Sequence, residues 1–241
     1  MIRFENVCKS YAGGKVKALD QLNMEIPSGT VFGFIGPNGA GKTTAIKLLT
    51  GILVPDEGSV WVEGISMAEK PLDAKRMLGY VPDSFEMYDR MTGREYLFFL
   101  ADVYGVDREA RDKHLEKYLE LFELEAAVHQ QIRSYSHGMK QKLSVIGSLI
   151  HKPAIWILDE PMTGLDPRSM RILKEEMRTH SQNGGTVFFS THVLEVAEKL
   201  CDESGVIRQG QLVAKGTLEE LREDARVTTL EEIFMGLTEE A

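Results

Sequence analysis

The chain of 241 residues carries 37 acidic against 28 basic side chains, a formal net charge of −9, with 43% hydrophobic and 27% charged residues. That balance suits a globular protein with a full core and opposes a partner held by bulk phosphate electrostatics, so nucleic acid is not expected. Two cysteines without metal-ligand spacing (Cys8 and Cys201), no apolar run of spanning length and no basic-then-apolar leader predict a reduced, cytoplasmic protein that does not itself cross a membrane.

In chain order, residues 1 to about 35 alternate between apolar and polar side chains, with turns at Gly13-Gly14 and Pro27-Ser28-Gly29, which predicts antiparallel strands. Val31-Phe32-Gly33-Phe34-Ile35 reads as a buried strand and Ala45-Ile46-Lys47-Leu48-Leu49 as a helix. Between them stands Gly36-Pro37-Asn38-Gly39-Ala40-Gly41-Lys42-Thr43-Thr44, which fits the pattern G-x-x-x-x-G-K-[ST] in the strand–loop–helix setting that gives the pattern meaning. Glycines allow a tight turn whose N–H groups face phosphate oxygens, and the helix N-terminus adds a partial positive charge. Lys42 would reach the β- and γ-phosphates and the Thr43 hydroxyl would ligate Mg²⁺, so a bound nucleoside triphosphate is expected.

Val54 to Ser59 reads as a turn, Val60 to Gly64 as a hairpin strand and Met77 to Pro82 as a short strand entering a loop. From about 84 to 150 the pattern is helical. Thr92 and Glu95 form a capping box, followed by Leu97, Leu100, Ala101 and Tyr104 at helical spacing. Leu115, Tyr118, Leu119 and Phe122 form a second apolar stripe, and Met139, Leu143, Ile146 and Ile150 a third on a helix opening at Ser136. Ile155-Trp156-Ile157-Leu158 is then a buried strand ending in Asp159-Glu160. Asp166-Pro167 starts a helix to about Ser181, and Thr186 to Ser190 is a strand followed by a helix through Leu200. A hairpin around Gly210 and two short helices with capping boxes, Thr217 to Glu220 and Thr229 to Glu232, complete the pattern. The reading is one α/β nucleotide-binding domain over 1–241, with a helical insertion at about 84–150 and a helical tail at about 217–241.

Ligands of parallel α/β sheets bind at the carboxyl ends of strands, which predicts that Asp159 and Glu160 lie beside the phosphate loop. Asp159 would hold Mg²⁺, largely through water, and Glu160 would polarise the water attacking the γ-phosphate.

Together with Tyr135-Ser136-His137-Gly138-Met139-Lys140-Gln141, the carboxylate pair resembles the ATP-binding-cassette (ABC) ATPases, with Ser136 23 residues before Asp159. Thr163-Gly164-Leu165-Asp166-Pro167 looks like that family's D-loop and Ser190-Thr191-His192 like its switch-histidine loop. The resemblance covers essentially the whole chain. It implies a P-loop NTPase (RecA-like) core with an N-terminal antiparallel β subdomain and a helical insertion bearing the signature motif. It also implies ATP and Mg²⁺ as ligands, hydrolysis of ATP, and a head-to-tail dimer in which Ser136 and Gly138 meet the opposing subunit's nucleotide. His192 would contact the γ-phosphate and orient water or Glu160, and Asp166 would support communication across the dimer. Tyr11 sits where the family stacks an aromatic on adenine; the alternative reading is a strand-end core residue.

Two positions depart from the family pattern. Asp83 stands where Gln usually follows Tyr-Val-Pro, and is either a hard-oxygen ligand for Mg²⁺ or a polar loop residue. His137 and Met139 replace Gly and Gln in the signature. With no spanning segment, the resemblance implies separate transmembrane permease subunits, docked in part on Asp83 to Tyr96 at the cytoplasmic membrane face. The tail from Leu230 to Thr238 looks like those of ABC-2 exporters, so an exporter is expected ahead of an importer or a non-transport ABC protein.

Overall fold

The computed structural model describes residues 1–85 and 87–225. Its elements are, in order, β1 (Ile2–Tyr11), β2 (Val16–Ile26), β3 (Val31–Ile35), α1 (Lys42–Leu49), β4 (Glu57–Val62), β5 (Ile65–Ser66), α2 (Pro71–Arg76) and β6 (Leu78–Val81). There follow α3 (Gly93–Val103), α4 (Arg108–Leu121), a 3-10 turn at Ile132–Ser134, α5 (His137–Ser148), β7 (Ile155–Asp159) and α6 (Pro167–Gln182). The last described elements are β8 (Thr186–Thr191), α7 (Leu194–Leu200), β9 (Glu203–Arg208), β10 (Gln211–Gly216) and α8 (Leu218–Ala225).

The strands form two sheets. An antiparallel one runs β2-β1-β4-β5, and a larger one runs β10-β9-β3-β8-β7-β6. Within the larger sheet β9, β3, β8, β7 and β6 pair in parallel, and only the β9–β10 hairpin is antiparallel. The parallel strands are buried on both faces, so they read as continuous apolar runs rather than alternating ones.

Alternation still assigns each side chain to a layer. Phe32, Phe34, Ile155, Ile157 and Phe188 face α1 and the antiparallel sheet, packing with Phe4, Leu22, Ile46 and Leu49. Val31, Trp156, Leu158, Val187 and Phe189 face the other way, onto a core with Leu97, Leu143, Ile146 and Leu173. Burying one such Leu or Phe stabilises by about 1.5–3 kcal/mol, and these two layers fix where the strand ends point. In that second core α3 and α4 pack on α5, and α5 packs on β6.

The Thr92–Glu95 capping box is formed on both sides, as is that of Thr217 with Glu220. Four expectations need correction. β4 begins at Glu57 inside the predicted turn, because Gly58 (φ 82°) lets the chain enter the strand there against the backbone of Glu5 and Asn6. Residues 84–91, apart from the undescribed Glu86, are loop and turn rather than helix, since helix α3 cannot start before its cap at Thr92. Ile150 is buried but lies beyond the end of α5 at Ser148. Helix α2 was not expected: its Pro71 is a favoured first residue, but only Ala74 is buried, so it shows no apolar stripe. The predicted helix at Thr229 to Glu232 and the tail to Thr238 lie outside the described residues.

Candidate nucleotide site

In the large sheet Ile35 is in register with Thr191, and Asp159 with Ser190. The carboxyl ends of β3, β8 and β7 therefore finish side by side, and their following loops meet. A cleft of about 270 Å³ at this edge is lined by Ala18, Asp83, Asp159, Glu160 and the phosphate-loop residues Pro37, Asn38, Gly39, Gly41, Lys42, Thr43 and Thr44. Gly36 and Ala40 complete the loop behind that lining, Ala40 N–H donating to the Pro37 carbonyl at 3.2 Å.

Gly41 holds φ at 112° just before α1, and a Cβ there would sit 2.5 Å from the Ala18 carbonyl oxygen. Only glycine satisfies both constraints. The first N–H groups of α1, on Lys42, Thr43 and Thr44, have no partner within the helix and point out of its positive end. Lys42 is 7% exposed and its ammonium donates to the carbonyls of Gly36 at 2.6 Å and Pro37 at 3.2 Å. Burial draws its pKa down, opposed by the charges of Glu160, 3.8 Å away, and Asp159. Tyr11, at the end of β1, is 40% exposed with its hydroxyl 3.5 Å from that of Thr44. The core-packing alternative for Tyr11 is thus excluded.

Asp159 is 2% exposed and accepts a hydrogen bond of 2.6 Å from the Ser190 hydroxyl. Burial pushes its carboxyl up, against the hydrogen bonds from Ser190 and Thr43, while Asp83 and Glu160 push the same way as burial. Glu160 has φ 48°, in the left-handed region, and its N–H donates to the Ser190 hydroxyl at 3.0 Å. Neighbouring residues on a strand point to opposite faces; this kink turns Glu160 back to the side of Asp159. A left-handed non-glycine residue costs about 1–3 kcal/mol and is kept where surrounding contacts determine it. Its carboxylate lies 3.0 Å from Nδ1 of His192, whose side chain is 56% exposed.

The buried carboxylate of Asp159 and the exposed hydroxyl of Thr43, with Asp83 lining the same cleft, are hard-oxygen donors of the kind Mg²⁺ takes. Among the described residues no set of three His, Cys, Asp or Glu forms a preformed metal cage. Mg²⁺ is commonly held by one or two protein oxygens, water and substrate phosphates.

Ser136, Gly138 and Asp166 do not line this cleft. Ser136 caps α5, accepting from Met139 N–H at 3.2 Å, and is itself exposed. A Cβ on Gly138 would lie 2.7 Å from the Gly164 carbonyl oxygen. Asp166 caps α6 through Ser169 and pairs with Lys142 at 3.1 Å; the Ser169 hydroxyl, foremost, holds its carboxyl well below the ordinary range. The part of Ser190 in holding the Asp159 carboxylate and the Glu160 backbone N–H was not anticipated, because it depends on sheet register.

A larger cleft, about 860 Å³, is lined by His114, Tyr118, Glu176 and His180 and by Ala154 and Gly185, which precede β7 and β8. It lies at the amino ends of the strands, where parallel α/β sheets do not bind their substrates, so the smaller cleft is the candidate site.

A phosphate loop at the carboxyl edge of a parallel sheet, facing an Asp-Glu strand end, defines a P-loop NTPase. The model of the family described as ABC transporter matches residues 19–163, and the chain belongs to that family. The chain is 34% identical over 236 residues to the ABC-type transporter ATP-binding protein EcsA of Bacillus subtilis, covering 96% of each. It is likewise 34% identical to the linearmycin resistance ATP-binding protein LnrL of the same organism, covering 92% of this chain and 70% of that one. A solved ATP-binding subunit of an ABC transporter superposes with a TM-score of 0.94 at 30% identity, covering 99% of both chains. The ATP-binding cassette MJ0796, a dimer in a post-hydrolysis state with ADP and Pi, superposes with a TM-score of 0.79 at 25% identity, over 90% of this chain and 99% of that one. The chain is an ATP-binding, ATP-hydrolysing subunit of an ABC transporter that uses Mg²⁺. Its kind assembles as dimers and with transmembrane subunits, and no described helix is long and apolar enough to cross a membrane.

Proposed function

We propose that the chain powers an exporter, working as one of two cassettes that clasp two ATP molecules head to tail beneath separate permease subunits at the cytoplasmic membrane face. The single observation carrying the dimer is the division of the motifs. The phosphate loop, Asp83, Asp159 and Glu160 share one cleft, while exposed Ser136 at the start of α5 stands apart from it. A second copy turned about would bring its Ser136 hydroxyl and the N–H groups at the start of α5 to the open side of that cleft.

Within the composite site each residue has a physical task. Tyr11 offers its exposed ring to adenine. The N–H groups from Gly36 to Thr44 take the phosphates, with Lys42 exchanging its carbonyl partners for the β- and γ-oxygens. Thr43 and Asp159 would hold Mg²⁺, with Asp83 as a third oxygen source; the ion neutralises charge on the phosphates. Glu160 accepts a proton from the attacking water, and His192, bonded to Glu160, fixes the direction of that carboxylate and reaches the γ-phosphate. Asp166 relays the state of one site to the other through its cap and its pair with Lys142.

A groove of about 290 Å³ lined by Pro82, Phe85, Met87, Tyr96, Leu100 and Tyr104 supports permease docking near Asp83 to Tyr96. Tyr88 and Phe99 add an exposed edge-to-face aromatic pair beside it. Export, rather than import, is supported by relatives named for linearmycin resistance and, in Escherichia coli, as a probable multidrug ATP-binding protein. Isolating the chain from its native membrane and identifying what accompanies it tests the reading. Spanning polypeptides that confer efflux are expected; company of ribosomes or nucleic acid alone would refute it.

A further inference from the structure

The loop that follows Glu160 is held from one side by the first turns of α5. Gln141 is 2% exposed, and its amide donates to the Pro161 carbonyl at 2.9 Å. Lys142 pairs with Asp166 at 3.1 Å, and the His137 ring lies against Gly164. Glu160 itself sits in a left-handed conformation, and its carbonyl accepts from Thr163 N–H at 3.2 Å. A residue in that sparsely populated region keeps its direction only while its neighbours are fixed. Ser190 fixes the N–H of Glu160 and Thr163 N–H its carbonyl; Pro161 has no N–H to anchor it, and Gln141 holds the carbonyl of Pro161.

We propose that Gln141 is a positioning residue: through the Pro161 carbonyl it sets the direction of Glu160, tying the helix that starts at Ser136 to the water-activating carboxylate of the same chain. The inference rests on the reading of Glu160 as water activator. Its consequence is a link within each chain between the half-site given to the partner and the half-site kept. A nucleotide that draws α5 toward the partner moves Gln141, and Gln141 moves the peptide beside Glu160.

Replacing Gln141 by Met keeps length and apolar volume but removes the donor. ATP turnover is measured together with MgATP affinity and with the ATP-stabilised dimer in a Glu160→Gln background. The expected result is a fall in kcat of about tenfold with KM and affinity within about twofold. Dimer formation in the Glu160→Gln background should not change on adding Gln141→Met, because the contact acts only through Glu160. Parental kcat, or loss of that dimer, would overturn the proposal. Gln141→Glu decides independently of how the Met variant folds: a protonated carboxyl donates to Pro161 and a carboxylate cannot. Its kcat relative to the parent should therefore recover as pH falls, and a pH-independent ratio would overturn the proposal. Should Glu160→Gln alone turn over ATP like the parent, the reading of Glu160 fails instead, visibly and before Gln141 is considered.

Discussion

Ser190→Ala removes one hydroxyl and disturbs two functional groups. Ser190 is fully buried, donates to the carboxylate of Asp159 at 2.6 Å and accepts from Glu160 N–H at 3.0 Å. A hydrogen bond to a charged group contributes about 1.5–3 kcal/mol, and a donor left without its acceptor costs about 1–3 kcal/mol. Glu160 is half-buried, so water can reach its N–H and the second effect falls at the low end. The sum is about 3 kcal/mol. For a chain of this size that lowers Tm by roughly 6–12 °C in thermal unfolding without nucleotide. Asp159 is already pushed up by burial and loses a donor that favours its charge, so Mg²⁺-dependent ATP affinity should fall as well. Calorimetric titration with and without Mg²⁺ reads that second effect. A Tm within about 2 °C of the parent would mean that Ser190 does not anchor the Asp159 carboxylate and the Glu160 backbone, and would refute the role given to the β7–β8 register.

Lys42→Ala should weaken MgATP binding about 10–100-fold by equilibrium titration, and unchanged affinity would contradict the phosphate-loop assignment. Tyr11→Ala should weaken ATP about tenfold while Tyr11→Phe stays near the parent; equal losses would mean that the hydroxyl near Thr44, not the ring, matters. His151 donates from Nε2 to the Leu78 carbonyl and stacks on Tyr104, and burial draws its pKa from 6.5 to about 4. In the unfolded chain it takes up a proton near 6.5, in the folded one only near 4, so stability falls as pH drops through that window. His151→Gln should flatten part of this slope in urea titrations, with the similarly depressed His114 and His180 keeping the rest; an unchanged slope would refute it.

Features legible in the sequence were those set by near neighbours in the chain. The phosphate loop, the apolar runs of β3, β7 and β8, and the caps at Thr92, Ser136, Asp166 and Thr217 each depend on a few consecutive residues. The cleft itself followed from the rule that ligands lie at strand ends. What escaped depends on register and on distant packing. Ser190 faces Asp159 only because β7 and β8 pair as they do. The left-handed turn at Glu160 and the hold of Gln141 on Pro161 join residues whose separation carries no pattern. Helix α2 escaped for the opposite reason: its few exposed residues have no periodicity to read.

In the proposed mechanism ATP hydrolysis needs two copies, each finishing the other's pocket. The most direct measurement is the solution mass of Glu160→Gln with MgATP, by light scattering after size exclusion, beside the same variant carrying Ser136→Arg. The account predicts that ATP doubles the mass of the first and leaves the second as single chains. Single chains in both, with parental protein hydrolysing ATP at a rate independent of its concentration, would contradict it.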